Sequence, residues 1–373
     1  MLQQLFNKIY RLDWFVILAV FCLLAVGSLA IYSVELSLDV PFFFLRKQYL
    51  ALLIGIIISL FILRSHYSMW RHLSRGLYLL AIFLLIFVLV KAELTGGVRG
   101  TARWISFMGF SFQPVELMKF AFIVQMAKYF SEKALIQIGW REVFQSASLL
   151  APPFLLVVLQ PDLGSALFLS GIWFLMLVFA GLRIHYIAII SGLASFFAII
   201  GWNFVLRDYQ KNRVLAFLDP TLDPLGIGYN MRQATIAIGS GQLLGRGLGF
   251  GSQSQLRFLP EAQTDFIFAV IAEELGFLGA MFICLCFALL IWRTGIIALR
   301  ARDGFGAFLA IGIGIAFFLQ AFINIGVNLS IMPATGIPLP FVSYGGSSIL
   351  LSIVLIGVLQ SVAIKQDPSD ISK

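Results

Sequence analysis

The sequence predicts an all-α integral membrane protein of about ten transmembrane helices, with a long extracytoplasmic loop between helices 7 and 8. Three observations predict it. Sixty per cent of the 373 residues are hydrophobic and only 12% are charged, whereas a soluble domain carries about a quarter of charged residues. The mean hydropathy is +0.96. Apolar runs also recur at short intervals, most of them near the ~20 residues that a bilayer core asks of a helix. They follow one another too closely for separate soluble domains, so residues 1–373 read as one polytopic membrane domain.

The candidate spans lie near residues 14–32, 48–63, 77–90, 115–129, 144–159, 163–180, 186–205, 275–292, 308–329 and 347–363. Lys8 and Arg11 precede the first, and Ala25-Val26-Gly27 loosely resembles a signal-cleavage site. The apolar run is long for a signal core, so it reads as a retained helix. An even number of spans puts both termini on one side. With that side cytoplasmic, the inner connections hold Lys8, Arg11, Arg64, Arg71, Arg75, Lys128, Lys133, Arg141, Arg183, Arg293, Arg300, Arg302, Lys365 and Lys373. The short outer ones hold Arg46, Lys47, Lys91, Arg99 and Arg103. That is the positive-inside asymmetry. It also accounts for the net charge of +8 and pI near 9.5 without nucleic acid as a partner, since excess Lys and Arg serves topology and anionic headgroups. Cys22, Cys284 and Cys286 sit inside apolar runs, away from His66, His72 and His185, so disulfide and zinc sites are poor readings.

The outer connection 206–264 is long, and such loops are uncommon without a task. Within it, Tyr229, Met231, Ala234 and Ile238 are spaced for one apolar helical face, which predicts a helix lying on the membrane surface. Gly239, Gly241, Gly245, Gly247, Gly249 and Gly251 then predict a flexible, tightly turning strip. No G-x-G-x-x-G or G-K-[ST] pattern occurs, and the strip faces outward, which excludes a nucleotide loop.

Ionisable residues in apolar spans are costly and point to function by default. Glu116 and Lys119, three apart, share a helix face. They read as a mutually neutralising buried pair, and Lys119 could also face a cavity and meet an anionic substrate. Asp162 in Pro161-Asp162-Leu163-Gly164 suits a helix N-cap. Asp265 stands where the long loop re-enters an apolar helix, within reach of a loop that carries Arg213, Arg246 and Arg257. Cap and acid–base catalyst are both open for it, because burial raises a carboxyl pKa and arginines lower it. Glu261 reads as a loop carboxylate, and Glu273 and Glu274 as partners of basic groups or of a polar interior.

Six segments occur in one order: GTARWI at 100–105, QPVELMK at 113–119, QPDLG at 160–164, NRVLAFLDP at 212–220, LPEAQTDFIF at 259–268 and PLPFVSYGGSS at 338–348. This set resembles the SEDS family (shape, elongation, division and sporulation) across nearly the whole chain. GIPLPFVSY at 336–344 is more similar to the RodA branch, which serves elongation, than to the FtsW division branch. Gln263 stands where that family more often has His, with Asp265 intact. The resemblance implies a peptidoglycan glycosyltransferase of the bacterial inner membrane acting on lipid II at its outer face. It also implies a class B penicillin-binding protein (a transpeptidase) and other elongation-machinery membrane proteins as partners. The family's essential loop aspartate falls on Asp265.

Joining the anomeric carbon of one lipid-linked glycan to the 4-hydroxyl of another needs a base for a poor nucleophile. The leaving diphosphate needs positive charge where its own charge develops. Arg103, Lys119, Arg213 and Arg246 are the candidates, with Glu116, Asp162 and Glu261 as supporting polar groups; a divalent cation (Mg or Mn) could share the task. Direct attack on an α-linked diphosphate inverts to a β-linkage. Two rival classes remain: a lipid II flippase, which would gather its site near the midplane on broken, repeated helices, and a non-catalytic scaffold for the penicillin-binding protein, in which Asp265 would be dispensable.

Overall fold

The protein is described by a computed structural model over residues 11–38, 42–94, 103–107, 110–133, 138–204, 206–224 and 226–365. Lys8, Arg99, residues 100–102 of the GTARWI segment and Lys373 lie outside the described residues.

Every predicted span falls on a helix. The helices are α1 (Trp14–Leu38), α2 (Phe43–Arg64), α3 (Ser68–Leu94), α4 (Pro114–Lys133), α5 (Trp140–Leu159), α6 (Leu163–Phe179) and α7 (Ile184–Phe204). In the long connection come α8 (Asp208–Leu218), α9 (Ile227–Ser240) and the four-residue α10 (Ser252–Gln255), followed by α11 (Ile267–Leu299), α12 (Gly304–Asn328) and α13 (Gly346–Ala363). Eight of them, α1, α2, α3, α5, α7, α11, α12 and α13, are long and apolar enough to cross a membrane. The remaining two spans differ for physical reasons. α6 has 17 residues, and α4 carries Glu116, Lys119, Lys128, Glu132 and Lys133. The one departure from all-α among the described residues is an antiparallel hairpin, β1 (Ile105–Phe107) with β2 (Phe110–Phe112).

Carboxylates start several helices. Asp13 accepts the Val16 N–H at 3.1 Å, and Asp303 accepts that of Gly306 at 2.9 Å. Glu35, fully buried, accepts the N–H groups of Phe42, Phe44 and Leu45 at the start of α2. In each case an anion meets the unpaired donors and partial positive charge of a helix N-terminus. α4, α12 and α13 form the buried centre. Around them α2 packs on α13, α11 on α12 and α1, α3 on α4, and α6 on α5 and α12. α7 stands at the edge, with Ile190 its one buried residue. Outward faces carry Phe21, Leu53, Phe61, Phe83 and Phe197, an apolar surface suited to lipid. At one end Arg293 holds Asp13 in an ion pair of 2.5 Å, and Gln360 exchanges two 2.9 Å hydrogen bonds with the Asp13 backbone. The start of α1 and the ends of α11 and α13 therefore meet, as an even number of crossings requires.

Two expectations for the long connection are corrected, the surface-lying helix and the flexible glycine strip. α9 forms, but its apolar face is not laid on a membrane surface. Met231, Ala234 and Ala237 are buried, and the two alanines belong to a cluster with Val34, Leu259, Phe266, Ala269 and Val270. A protein groove beside the helix buries that face more completely than a headgroup layer would. The apolar helix expected where the loop re-enters and the span expected at 275–292 are one element, α11 from Ile267, broken at Gly276 (φ 68°, ψ −165°). The glycine strip, expected to be flexible, is docked into that break. Arg246 and Gly247 donate to the carbonyls of Glu273 and Glu274 at 3.0 and 2.9 Å, and Phe277 and Leu278 donate to those of Gln242 and Leu243 at 2.8 and 3.2 Å. A break in an apolar helix exposes backbone groups that hydrocarbon cannot satisfy, so a second backbone has to pair with them.

Such close approach excludes side chains. Gly245 lies at φ +81°, and a Cβ there would overlap the Glu274 carbonyl. Gly245→Ala is therefore expected to cost more than the roughly 1–3 kcal/mol of the backbone conformation alone, read as a lower melting temperature of the solubilised protein. Gly239→Ala, with open space around it and ordinary φ, serves as control and should change stability little.

Candidate active site

Asp265 lies two residues before the start of α11. Its helix-cap reading is excluded by geometry: Phe266 occupies the cap position, with no side-chain cap bond. The backbone around it is fixed from two sides. Asn324 and Asn328 of α12 donate to the Asp265 carbonyl at 3.1 and 2.9 Å. From the α12–α13 connection, Ser343 Oγ donates to the Thr264 carbonyl at 2.6 Å, and the Tyr344 N–H donates to the Gln263 carbonyl at 2.8 Å. Gly336, at φ +73°, passes the carboxylate so closely that a Cβ there would lie 3.8 Å from Oδ2. The residue keeps partial surface exposure while its carboxyl is surrounded densely by protein. Burial, and then the negative charge of Glu261, push its pKa up from the usual 3.8 to about 6, against the lowering pull of Arg213.

Arg213, whose charge acts on this carboxyl, lines a cleft of about 80 Å³ together with Arg103, Asp162, Tyr209, Ala334 and Thr335, among others. Its Nη1 donates weakly to the Ala334 carbonyl at 3.4 Å. Its buried Nε has no hydrogen-bond partner among the described residues, and neither has Thr335 Oγ1. A guanidinium with spare donors beside an elevated carboxyl is suited to anion binding next to proton transfer.

The other candidates separate. Arg103 lines the cleft but spends its donors on structure, giving Nε to the Gln160 carbonyl at 3.1 Å and Nη2 to that of Pro161 at 2.5 Å. Its Nη1 lies 3.8 Å from Asp162. Asp162 is the cap of α6, accepting from the Ser165 N–H at 3.2 Å and the Ser165 hydroxyl at 2.9 Å. Glu261 is exposed and accepts from the Thr264 hydroxyl at 3.2 Å. Lys119 pairs with Glu116 at 2.7 Å, both almost wholly buried, and its ammonium sits 4.9 Å from the Phe168 ring centre. The structure gives Lys119 the pairing geometry and no surface. Arg246 reaches Ser240 and Ser252, and Arg257 reaches the Ser37 carbonyl. Neither guanidinium joins the Asp265 group, because the docked strip carries Arg246 beside Glu273. Glu273 and Glu274 are buried and accept from the backbone and side chains of Gln253, Ser254 and Ser33, which is a structural task.

Asn324, Asn328, Tyr209 and Thr335 were not singled out from sequence. The two asparagines carried a usable signal, four apart on one face of an apolar span. Tyr209 and Thr335 carried none, since only folding brings them together. Among the described residues no cluster of three or more His, Cys, Asp and Glu side chains is placed to hold a metal.

Similarity to known proteins agrees with this architecture. Stage V sporulation protein E of Bacillus subtilis strain 168 is 39% identical over 94% of this chain and 96% of its own length. The peptidoglycan glycosyltransferase MrdB of Escherichia coli K12 is 36% identical over 96% and 95%, and further relatives carry the name FtsW. Among solved structures, a chain from a peptidoglycan synthase complex that coordinates polymerization and crosslinking superposes with TM-score 0.80 at 29% identity, covering 95% of this chain and 99% of that one. The rod shape determining protein RodA of Thermus thermophilus follows with TM-score 0.70 at 27% identity, covering 95% and 98%. A model of the FtsW, RodA and SpoVE cell cycle proteins matches residues 10–367, so the chain belongs to this family, the SEDS membrane proteins.

Proposed function

We propose that this protein is an inverting peptidoglycan glycosyltransferase that polymerises lipid II at the outer face of a bacterial inner membrane, with both termini cytoplasmic and undecaprenyl diphosphate as leaving group. The observation that carries the reading is the Asp265 carboxyl: not used as the helix cap, with its pKa raised to about 6, and under the charge of Arg213, which lines a cleft and keeps an unpartnered Nε. Asp265 takes the proton of the acceptor 4-hydroxyl as that oxygen attacks the anomeric carbon of the donor. Arg213 offers its guanidinium to the departing diphosphate, and Arg103 holds the α5–α6 junction that forms the cleft wall. The lipid tails of both substrates keep them at one membrane depth, which supplies orientation before chemistry starts. A divalent cation, Mg or Mn, would be held mainly by the substrate's own phosphates and would supply charge neutralisation at the diphosphate.

The test is direct. Purified wild type supplied with lipid II in detergent should yield glycan polymer, alone or with a class B penicillin-binding protein present; folded Asp265→Asn should yield little or none, and Arg213→Gln less than wild type. Lipid movement in liposomes without polymer, indifferent to Asp265→Asn, would establish a flippase instead. The synthase-complex chain supports the transpeptidase partnership. The GIPLPFVSY stretch and the likeness to RodA support service in elongation with other elongation-machinery membrane proteins. The gene should then restore rod shape to cells depleted of their RodA; rescue of FtsW-depleted cells alone would assign it to division.

A further inference from the structure

We infer that Asn328, assisted by Asn324, is a positioning residue that takes over the capping of α11 and thereby leaves the Asp265 carboxylate free to face substrate. This rests on the proposed role of Asp265 as base.

An aspartate just before a helix ordinarily turns its carboxylate onto first-turn N–H groups. At α11 that position is filled from another helix. Asn328 Oδ1 accepts the Ala269 N–H at 3.0 Å, alongside a local bond from that N–H to the Phe266 carbonyl. Asn328 Nδ2 donates to the Asp265 carbonyl at 2.9 Å and to the Asn324 carbonyl at 2.8 Å. Asn324 Nδ2 donates to the Asp265 carbonyl at 3.1 Å and to the Ile337 carbonyl at 2.9 Å. Both amides are buried, at 0% and 2% exposure. Two amides in an apolar helix are costly unless bonded, and here they are bonded to the residue carrying the carboxylate and to the neighbour of Gly336, the residue that faces it. One pair of side chains therefore fixes the Asp265 backbone, meets the helix donor and sets the wall opposite the carboxyl. The charged groups that act on that carboxyl are Glu261 and Arg213; α12 meets this segment with the two neutral amides and the apolar Ile323 and Val327, and the 336–337 turn presents no titratable side chain.

Asn328→Ala removes the side-chain acceptor of the Ala269 N–H and one of the two amide donors on the Asp265 carbonyl, so the segment before α11 can shift and its carboxylate can turn onto first-turn N–H groups. Once it caps the helix, the carboxylate is hydrogen-bonded, turned from its place beside Gly336 and a weaker base. The expected result for the full-length protein with lipid II is a fall in kcat of about 10²-fold, with KM within about twofold. The acid limb of the rate profile should move from near pH 6 toward pH 4. Asn328→Ala combined with Asp265→Asn should be no slower than Asp265→Asn alone, since the amide acts through the carboxylate. Asn324→Ser, which leaves the Ala269 contact in place, should lose only about tenfold. It supplies the test if Asn328→Ala cannot be purified folded, with an unchanged rate overturning the proposal.

The failures are separable. A dead Asp265→Asn beside an Asn328→Ala of wild-type rate and unmoved acid limb overturns the positioning role and keeps the base. An Asn328→Ala that loses rate with the acid limb unmoved also overturns it, as loss of packing alone would do this. A fully active Asp265→Asn removes the base, and with it this inference.

Discussion

Asp265→Asn is expected to slow glycan polymerisation by about 10²–10⁴-fold, the usual worth of a positioned general base, while the variant remains at least as heat-stable as wild type. The amide occupies the same volume but cannot take the proton of a sugar hydroxyl. Stability moves the opposite way because the native carboxyl titrates near 6 where the unfolded chain titrates near 3.8. Between those values the folded protein binds the extra proton, so stability linked to this group is complete below about pH 4 and is lost as pH rises through about 6. The displacement corresponds to at most about 3 kcal/mol. Asp265 keeps contact with solvent, and screening reduces the effect to about 1–2 kcal/mol. At pH 8 the Asn variant should therefore melt above wild type, and at pH 4 the two should converge. The wild-type rate should rise with pH through about 6, as the base ionises. A folded Asn variant making polymer at the wild-type rate at pH 8 would end the mechanism proposed for this site.

Breaking the Glu116–Lys119 pair is expected to destabilise the protein by about 3–5 kcal/mol, because either substitution leaves an unpaired charge in a site without water. The two groups are 2.7 Å apart, and neither side chain is more than 5% exposed. Glu116→Gln and Lys119→Met should each lower the melting temperature sharply in detergent. Glu116→Leu with Lys119→Met removes both charges together and should recover most of the loss. Activity of that double variant then decides what the pair is for. A stable and active double variant leaves Glu116 and Lys119 a purely structural role. A stable but inactive one assigns them a part in substrate handling that burial in this structure does not display. Single variants as stable as wild type would show that water reaches the pair.

The family was legible because its motifs mark backbone turns and helix starts: Asp162 caps α6 as its Pro-Asp-Leu-Gly setting suggests, and the GIPLPFVSY stretch holds Gly336 and Ser343 at the site. Arg213 and Asp265 were both candidates from charge near an apolar boundary. Among the cations, Arg103 and Lys119 stood ahead of Arg213 and Arg246 because the family motifs contain them, and residue type could not show which of them meets Asp265. Their fates depend on where the chain returns in space. The docked strip takes Arg246 to Glu273, while the segment at Ala334 and Thr335 meets Arg213.

By itself the sequence determined a multi-pass helical bundle, for hydropathy over ~20 residues is a local property and lipid admits few alternatives to a helix. It also placed a carboxylate where the long outer loop re-enters an apolar helix. Tertiary structure alone decided that this carboxylate is not a cap, that two asparagines from α12 hold its backbone, and that a glycine strip closes a broken helix. Each of these turns on hydrogen bonds between segments distant in sequence, and a hydrogen bond of that kind leaves no periodicity along the chain to read.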